Sequence, residues 1–224
     1  MAYWELKIAK MYRIVFLLLS SLVLISCNQK EVIKLPYYNT PDFTPLFLED
    51  AEINTNIPHT IANFSFLNQD STTISQKNIE GKIHVANFIF TTCGSICPVM
   101  TNNLKIVNDS LGKDSDLVLL SYSVTPWIDS TSVLKAFKKR NGINNPNWHF
   151  LTGSKSKIYD LARKSYFAEE DLGFTKDSTE FLHTEHFILV DKSKRIRGIY
   201  NGTLSFEMYQ MIDDIQTLKK EFYK

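Results

Sequence analysis

Residues 83–90 form an apolar run in which nearly every position is hydrophobic. A half-exposed strand would alternate polar and apolar residues, so a continuous run of this length predicts a central strand that is buried on both faces. Pro98 follows shortly afterwards and is typical of the first turn of a helix. Apolar residues then recur at helical spacing as far as Gly112, at Val99 or Met100, Leu104, Val107 and Leu111. The pattern predicts a buried strand that leads into an amphipathic helix.

The rest of the chain alternates between strand-like and helix-like patterns. Strands are predicted over residues 64–67, 72–75, 117–124, 148–151, 186–190 and 196–200. Helices are predicted from about 130 to 141, over 155–166 and from about 204 to 222. Strand–helix–strand crossovers followed by a hairpin and a last helix indicate an α/β fold, with helices covering both faces of the sheet.

Residues 11–27 have the order of a secretory signal: Arg13, an apolar stretch, then Leu-Ile-Ser-Cys27. The stretch is too short to span a bilayer as a mature helix. Its ending resembles a bacterial lipoprotein signal, in which Cys27 is the lipidated first residue after cleavage. The alternative is an uncleaved anchor helix, and Met11 is an alternative start to Met1. In both cases we expect a membrane-anchored protein of the cell envelope that lies outside the cytoplasm.

We therefore divide the chain into a lipoprotein-type signal segment (1–27), an extended linker (28–60) and a single domain (61–224). About 200 residues beyond the signal suit one domain. The net charge of +1 at pH 7 gives no reason to expect a nucleic-acid partner.

Cys93 and Cys97 lie just after the predicted central strand, and with Cys27 they are the only cysteines of the chain. The carboxyl ends of strands are where ligands bind in sheets of this type, and helix N-terminal amides favour a thiolate. If the pair is helical, its Cα atoms lie about 6 Å apart, within disulfide range. The spacing therefore suits a reversible disulfide, a soft-metal site or a permanent disulfide, which would stabilise little because its loop is short.

Three separated segments carry a more specific signal. They are residues 81–101, which hold the cysteine pair; residues 119–126 with 129–131 and 148–153; and residues 182–191, which hold two histidines. In this order they resemble the SCO/SenC family of thioredoxin-like, membrane-anchored copper proteins, over roughly residues 60–220. The resemblance implies a thioredoxin-like fold, with a central mixed sheet, helices on both faces and a β-hairpin insertion.

The resemblance also implies a copper site with two thiolates and one imidazole. By position the ligands are Cys93, Cys97 and His183, while His186 is the alternative histidine. Thiolates select Cu(I) and imidazole suits either copper oxidation state. Three other histidines are expected to have structural roles only: His59, His84 and His149. Tetrahedral zinc is disfavoured because only three ligands are expected to converge.

The chain departs from the family pattern in three places. Thr125 stands where an Asp is common before the proline of the second segment, and Gly94 stands where a Pro is frequent. The turn after Asp191 lacks the usual glycine. None of these changes removes an expected ligand.

By resemblance, the protein assists assembly of the binuclear copper centre of a cytochrome oxidase, as a metallochaperone rather than a catalyst. Its expected partners are the copper-bearing oxidase subunit and an upstream copper donor. The alternative is a thiol–disulfide oxidoreductase in which Cys93 and Cys97 are the redox pair. General disulfide exchange is disfavoured because such enzymes space the pair as Cys-x2-Cys and place a cis-proline late in the fold, whereas no proline follows Pro146. A peroxide-reducing enzyme is weaker still, because the Pro-x3-Thr-x2-Cys motif of such enzymes is missing before Cys93.

Overall fold

The structure, a computed structural model, describes residues 34–168 and 184–222. The strands in these residues are β1 (Tyr37–Tyr38), β2 (Pro45–Leu46), β3 (Ser65–Asn68), β4 (Thr73–Ser75), β5 (Ile83–Ile89), β6 (Leu117–Ser123), β7 (Trp148–Thr152), β8 (His186–Val190) and β9 (Ile196–Asn201). The helices are α1 (Ile53–Asn56), α2 (Gln76–Ile79), α3 (Ile96–Leu111), α4 (Thr131–Arg140), α5 (Lys155–Lys164) and α6 (Ser205–Phe222). The strands form one sheet in the order β2-β1-β9-β8-β5-β6-β7-β3-β4.

The centre of the sheet is formed by β5 and β6, which are buried at every position. They pair in parallel from Ile83↔Leu117 to Ile89↔Ser123, and β7 continues the parallel pairing beyond β6. The other pairings are antiparallel, so the sheet is mixed. The apolar run at residues 83–90 is therefore the buried central strand that the sequence predicts.

Helices cover both faces of this sheet, as predicted. On one face Val85 of β5 packs in a cluster with Leu104 of α3, Leu134 of α4 and Met211 of α6. On the other face the alternate positions of β5 pack in a cluster that includes Ile158 of α5. Full burial of each large aliphatic side chain contributes about 1.5–3 kcal/mol, so the two clusters are the main source of stability.

The hairpin of β8 and β9 lies against β5 on the side away from β6. Because β8 is antiparallel to β5, with Ala86 opposite Ile188, β8 begins at the edge of the sheet where β5 ends. The hairpin turn is held by Asp191, whose carboxylate accepts hydrogen bonds from the backbone N–H groups of Ser193 (2.8 Å) and Arg195 (3.1 Å). Lys194 adopts φ 65° in this turn, the left-handed region that a glycine would occupy at lower cost.

The described part of the predicted linker is joined to the sheet. Tyr38 of β1 pairs with Ile196 of β9, so residues 37–46 extend the sheet beyond the hairpin. The domain boundary at residue 61 stays a prediction. Residues 1–27, with the predicted signal and Cys27, lie outside the described residues. Among the residues described, no helix has the length and apolar character needed to cross a membrane.

Candidate metal centre

The two predicted cysteines lie together at the carboxyl end of the central strand. Cys93 is in the loop between β5 and α3, and Cys97 is the second residue of α3. Both are free thiols; Cys93 is half-buried, whereas Cys97 is only 3% exposed. The backbone N–H of Cys97 donates a hydrogen bond to Sγ of Cys93 at 3.5 Å. The pair therefore combines one accessible sulfur with one buried sulfur.

The surroundings of the pair shift the two thiol pKa values in opposite directions. Burial alone would raise the pKa of Cys93, but hydrogen bonds outweigh burial and lower it; they come from the backbone N–H groups of Cys97, Ser95 and Ile96 and from the Cys97 thiol. The N–H groups at the start of α3 are available to the sulfur, because the N-terminus of a helix leaves its first amides without partners inside the helix. Burial raises the pKa of Cys97 to about 12, and the nearby Cys93 and Asp129 add to that rise.

A buried carboxylate next to the cysteine loop is the feature that the sequence analysis missed. The side chain of Asp129 is fully buried and follows the end of β6. It accepts hydrogen bonds from the hydroxyls of Thr91 (2.5 Å), Ser123 (2.6 Å) and Thr125 (3.0 Å), and from the backbone N–H of Thr91 at 3.3 Å. Asp129 belongs to the segment that resembles the family, but that segment gives no indication that the carboxylate is buried.

Two of the departures from the family pattern, Thr125 and Gly94, differ in their surroundings. Thr125 is buried at 4% exposure and its hydroxyl faces the Asp129 carboxylate, where a second carboxylate would place two negative charges side by side. Gly94 is exposed, and a Cβ atom built there has no other atom within 4 Å. No packing contact therefore requires glycine at position 94.

Of the two candidate histidine ligands, the structure describes His186. His183, the expected third ligand, lies outside the described residues. His186 is the first residue of β8, half-buried, with its ring edge-on to Phe43 at 5.7 Å between centroids. In the parts of the chain that are described, no three His, Cys, Asp or Glu side chains are grouped so that they could hold a metal ion.

The other three histidines have structural contacts. Nε2 of His59 lies 2.8 Å from the carbonyl oxygen of Ser165, and Nε2 of His84 lies 3.1 Å from the hydroxyl of Tyr166. Burial lowers the pKa of His84 to about 3, and burial together with Lys138 lowers the pKa of His149 to about 4. Both rings are therefore neutral at pH 7.

Comparison with known proteins agrees with this fold. The sequence model of the SCO1/SenC family matches residues 54–220. The chain belongs to the SCO1/SenC family. A SCO1 protein homolog from Bacillus subtilis (strain 168) is 31% identical over 168 residues, which cover 74% of this chain and 86% of that protein.

Two solved structures of SCO1/SenC relatives share the fold. A SCO1/SenC family lipoprotein from Bacillus anthracis str. Ames is 28% identical with a TM-score of 0.63, over 72% of this chain and 95% of that one. BsSco, a member of the Sco family of cytochrome c oxidase assembly proteins described as having a disulfide switch, is 31% identical with a TM-score of 0.62, over 72% and 94%. The predicted thioredoxin-like fold is confirmed.

Proposed function

We propose that this SCO1/SenC protein binds copper through Cys93, Cys97 and His183, and assists assembly of the binuclear copper centre of a cytochrome oxidase. The observation that carries the proposal is the pair of free thiols at the carboxyl end of β5, one accessible and one buried. Two thiolates form a soft ligand set that selects Cu(I). The copper ion is the cargo of the protein, and its intended acceptor is the copper-bearing oxidase subunit.

The start of β8 supports His183 as the third ligand. His183 precedes Thr184 by one residue, and β8 begins at the edge of the sheet where β5 ends. A histidine at this point of the chain is therefore close in sequence to the edge that carries the cysteines. An imidazole that completes a three-coordinate site leaves one side of the ion open for transfer to a partner.

The state of the thiols controls copper binding in this proposal. Copper displaces the thiol protons when it binds. The affinity of the protein for copper therefore rises with pH over the range in which Cys97 is protonated in the free protein. Oxidation of the pair to a disulfide removes both sulfur ligands. Copper loading therefore requires a reduced pair.

We further propose that Cys27 carries a lipid and anchors the domain to a membrane, outside the cytoplasm. The order of residues 11–27 supports this proposal, and so does a relative that is itself described as a lipoprotein. An upstream copper donor is expected on the same side of the membrane.

X-ray absorption spectroscopy of the copper-loaded protein tests the ligand set. We expect two sulfur ligands and one imidazole nitrogen in the wild-type protein. The imidazole scattering should be lost in His183→Ala and kept in His186→Ala, which is the matched control. Loss of imidazole scattering in His186→Ala alone would show that His186 is the ligand.

A thiol–disulfide oxidoreductase is the second candidate function, and the environment of the pair favours it. The lowered pKa and partial exposure of Cys93 are typical of a nucleophilic cysteine, and Cys97 would then be the resolving cysteine. The Cys93 thiolate would attack a disulfide of the oxidase subunit and form a mixed disulfide. Cys97 would then attack the sulfur of Cys93, forming the Cys93–Cys97 disulfide and releasing the reduced partner. The two thiols of the pair lose two electrons and two protons, and the partner disulfide gains them.

Incubation of the copper-free, reduced protein with the oxidised copper-bearing domain of the oxidase distinguishes the two functions. Reduction of that domain, together with a trapped mixed disulfide in Cys97→Ser, would establish the reductase. An unchanged disulfide in the partner, with copper transfer to the separately reduced partner, would establish delivery.

A further inference from the structure

We propose that Asp129 is a positioning residue for the cysteine pair: through its hydrogen bonds to Thr91 it fixes the loop on which Cys93 lies. Neither the family resemblance nor the ligand set assigns this role to Asp129. The proposal concerns how closely the two sulfur atoms are held to each other. It rests on the proposed function only for the purpose that this closeness serves.

The contacts of Asp129 converge from two directions. Its carboxylate accepts hydrogen bonds from Ser123, the last residue of β6, and from Thr125, the second residue beyond it. It also accepts two hydrogen bonds from Thr91, one from the hydroxyl and one from the backbone N–H. One side chain therefore ties the end of β6 to the loop that follows β5.

Thr91 connects the Asp129 carboxylate to the cysteine loop. It lies two residues before Cys93 and directly after Phe90, whose carbonyl oxygen accepts a hydrogen bond from the N–H of Cys93 at 3.2 Å. Fixing the peptide of Thr91 therefore fixes the start of the turn that contains Cys93. The end of the same turn is held by α3, because Cys97 is buried against the core.

Besides the hydrogen bonds from Thr91 to Asp129, the turn is held by the hydrogen bond from the N–H of Cys93 to Phe90 and by the N–H groups that donate to Sγ of Cys93, and packing adds little. Thr92, Gly94 and Ser95 are exposed, and a Cβ atom at Gly94 has no neighbour within 4 Å. Burial strengthens the hydrogen bonds between Thr91 and Asp129, because a hydrogen bond to a charged group that water does not reach is stronger than a neutral, exposed one. We infer that Asp129 keeps the two sulfur atoms within reach of each other.

The test measures how readily the pair forms its own disulfide, which needs no copper. The chain carries Cys27→Ser so that Cys93 and Cys97 are its only thiols, and it is equilibrated with reduced and oxidised glutathione. The two thiols become a disulfide while one oxidised glutathione becomes two reduced ones, and the equilibrium constant gives the effective concentration of one cysteine at the other.

Four variants separate positioning from general damage. Thr91→Val and Asp129→Asn should lower the effective concentration about fivefold to tenfold, the equivalent of about one lost hydrogen bond. Thr91→Ser keeps the hydroxyl and should stay within about twofold of the parent chain. Thr92→Val makes the same substitution at an exposed neighbouring threonine and should also be unchanged.

An unchanged equilibrium constant in Thr91→Val, with circular dichroism showing a folded protein, would overturn the proposal. An equal loss in Thr92→Val would overturn it as well, because the effect would not depend on the contact with Asp129. Should Asp129→Asn fail to fold, Thr91→Val and Thr91→Ser still decide the question. A wild-type protein that fails to bind Cu(I) while Thr91→Val shows the expected loss would refute only the proposed function.

Discussion

Cys93 and Cys97 lie four residues apart but have different surroundings, and at the scale of single residues this difference is the main chemical feature of the protein. The accessible Cys93 has its pKa lowered by helix N–H groups that outweigh burial, whereas burial raises the pKa of Cys97 to about 12. At neutral pH the fraction of thiolate is therefore higher at Cys93 than at Cys97. One cysteine is suited to meet a partner and the other to remain protected.

Alkylation by iodoacetamide should modify Cys93 much faster than Cys97 at pH 7. Because only the thiolate reacts, the rate at Cys93 should reach half of its maximum at a lower pH than that of an ordinary cysteine. The rate at Cys97 should still be rising at the highest pH at which the protein is folded. Tandem mass spectrometry of singly alkylated peptides measures both rates, and equal modification of the two cysteines at pH 7 would contradict this assignment.

The sequence predicts the cysteine pair and its position at the carboxyl end of the central strand, because both depend on the local order of strand, loop and helix. It does not predict that Asp129 is buried beside Thr91, since 38 residues separate them and only the parallel pairing of β5 and β6 brings them together. His183 is assigned from family position alone. Its role stays a prediction.

At the scale of elements, a polar ladder crosses the buried strands. The hydroxyl of Ser121 in β6 donates to Oδ1 of Asn87 in β5 at 2.7 Å, and Nε1 of Trp148 in β7 donates to that hydroxyl at 2.9 Å. All three residues are 1% exposed. The apolar pattern predicts these strands within one or two residues, but it gives no sign of a ladder because the polar positions are isolated in each strand.

Ser121→Ala should lower the free energy of unfolding by about 1–3 kcal/mol, because it leaves the indole N–H of Trp148 and the amide oxygen of Asn87 buried without this partner. Urea denaturation followed by tryptophan fluorescence measures the change. Ser156→Ala, at an exposed position on α5, is the control and should change stability by less than about 0.5 kcal/mol. Equal stability of Ser121→Ala and the wild type would show that the ladder contributes nothing net.

At the scale of the whole molecule, Arg197 joins the first described residues to the last helix. Its guanidinium is 1% exposed and pairs with Asp191 at 3.1 Å and with Glu221 of α6 at 2.9 Å. It also donates to the carbonyl oxygens of Leu35 (2.8 Å) and Pro36 (3.1 Å). The sequence predicts only an extended linker here, because a contact between residues 162 positions apart leaves no local pattern.

Arg197→Met should lower the free energy of unfolding by about 3–5 kcal/mol, because Asp191 is left buried without its cation. The same variant should be cleaved more rapidly by trypsin after Lys34, since the carbonyl groups of Leu35 and Pro36 lose their donor. Arg140→Met, at an exposed position on α4, is the matched control. Wild-type stability together with wild-type proteolysis in Arg197→Met would contradict this role.

An anaerobic Cu(I) competition titration tests the central claim most directly. It uses the reduced chain carrying Cys27→Ser, beside the same chain with Cys93→Ser or with Cys97→Ser. The account predicts tight binding of one copper ion per chain, lost in both cysteine variants because each removes one of the two thiolate ligands. Weak or absent binding by a protein whose two thiols are confirmed reduced, or wild-type affinity in Cys93→Ser, would contradict the copper site and leave the pair as a redox couple.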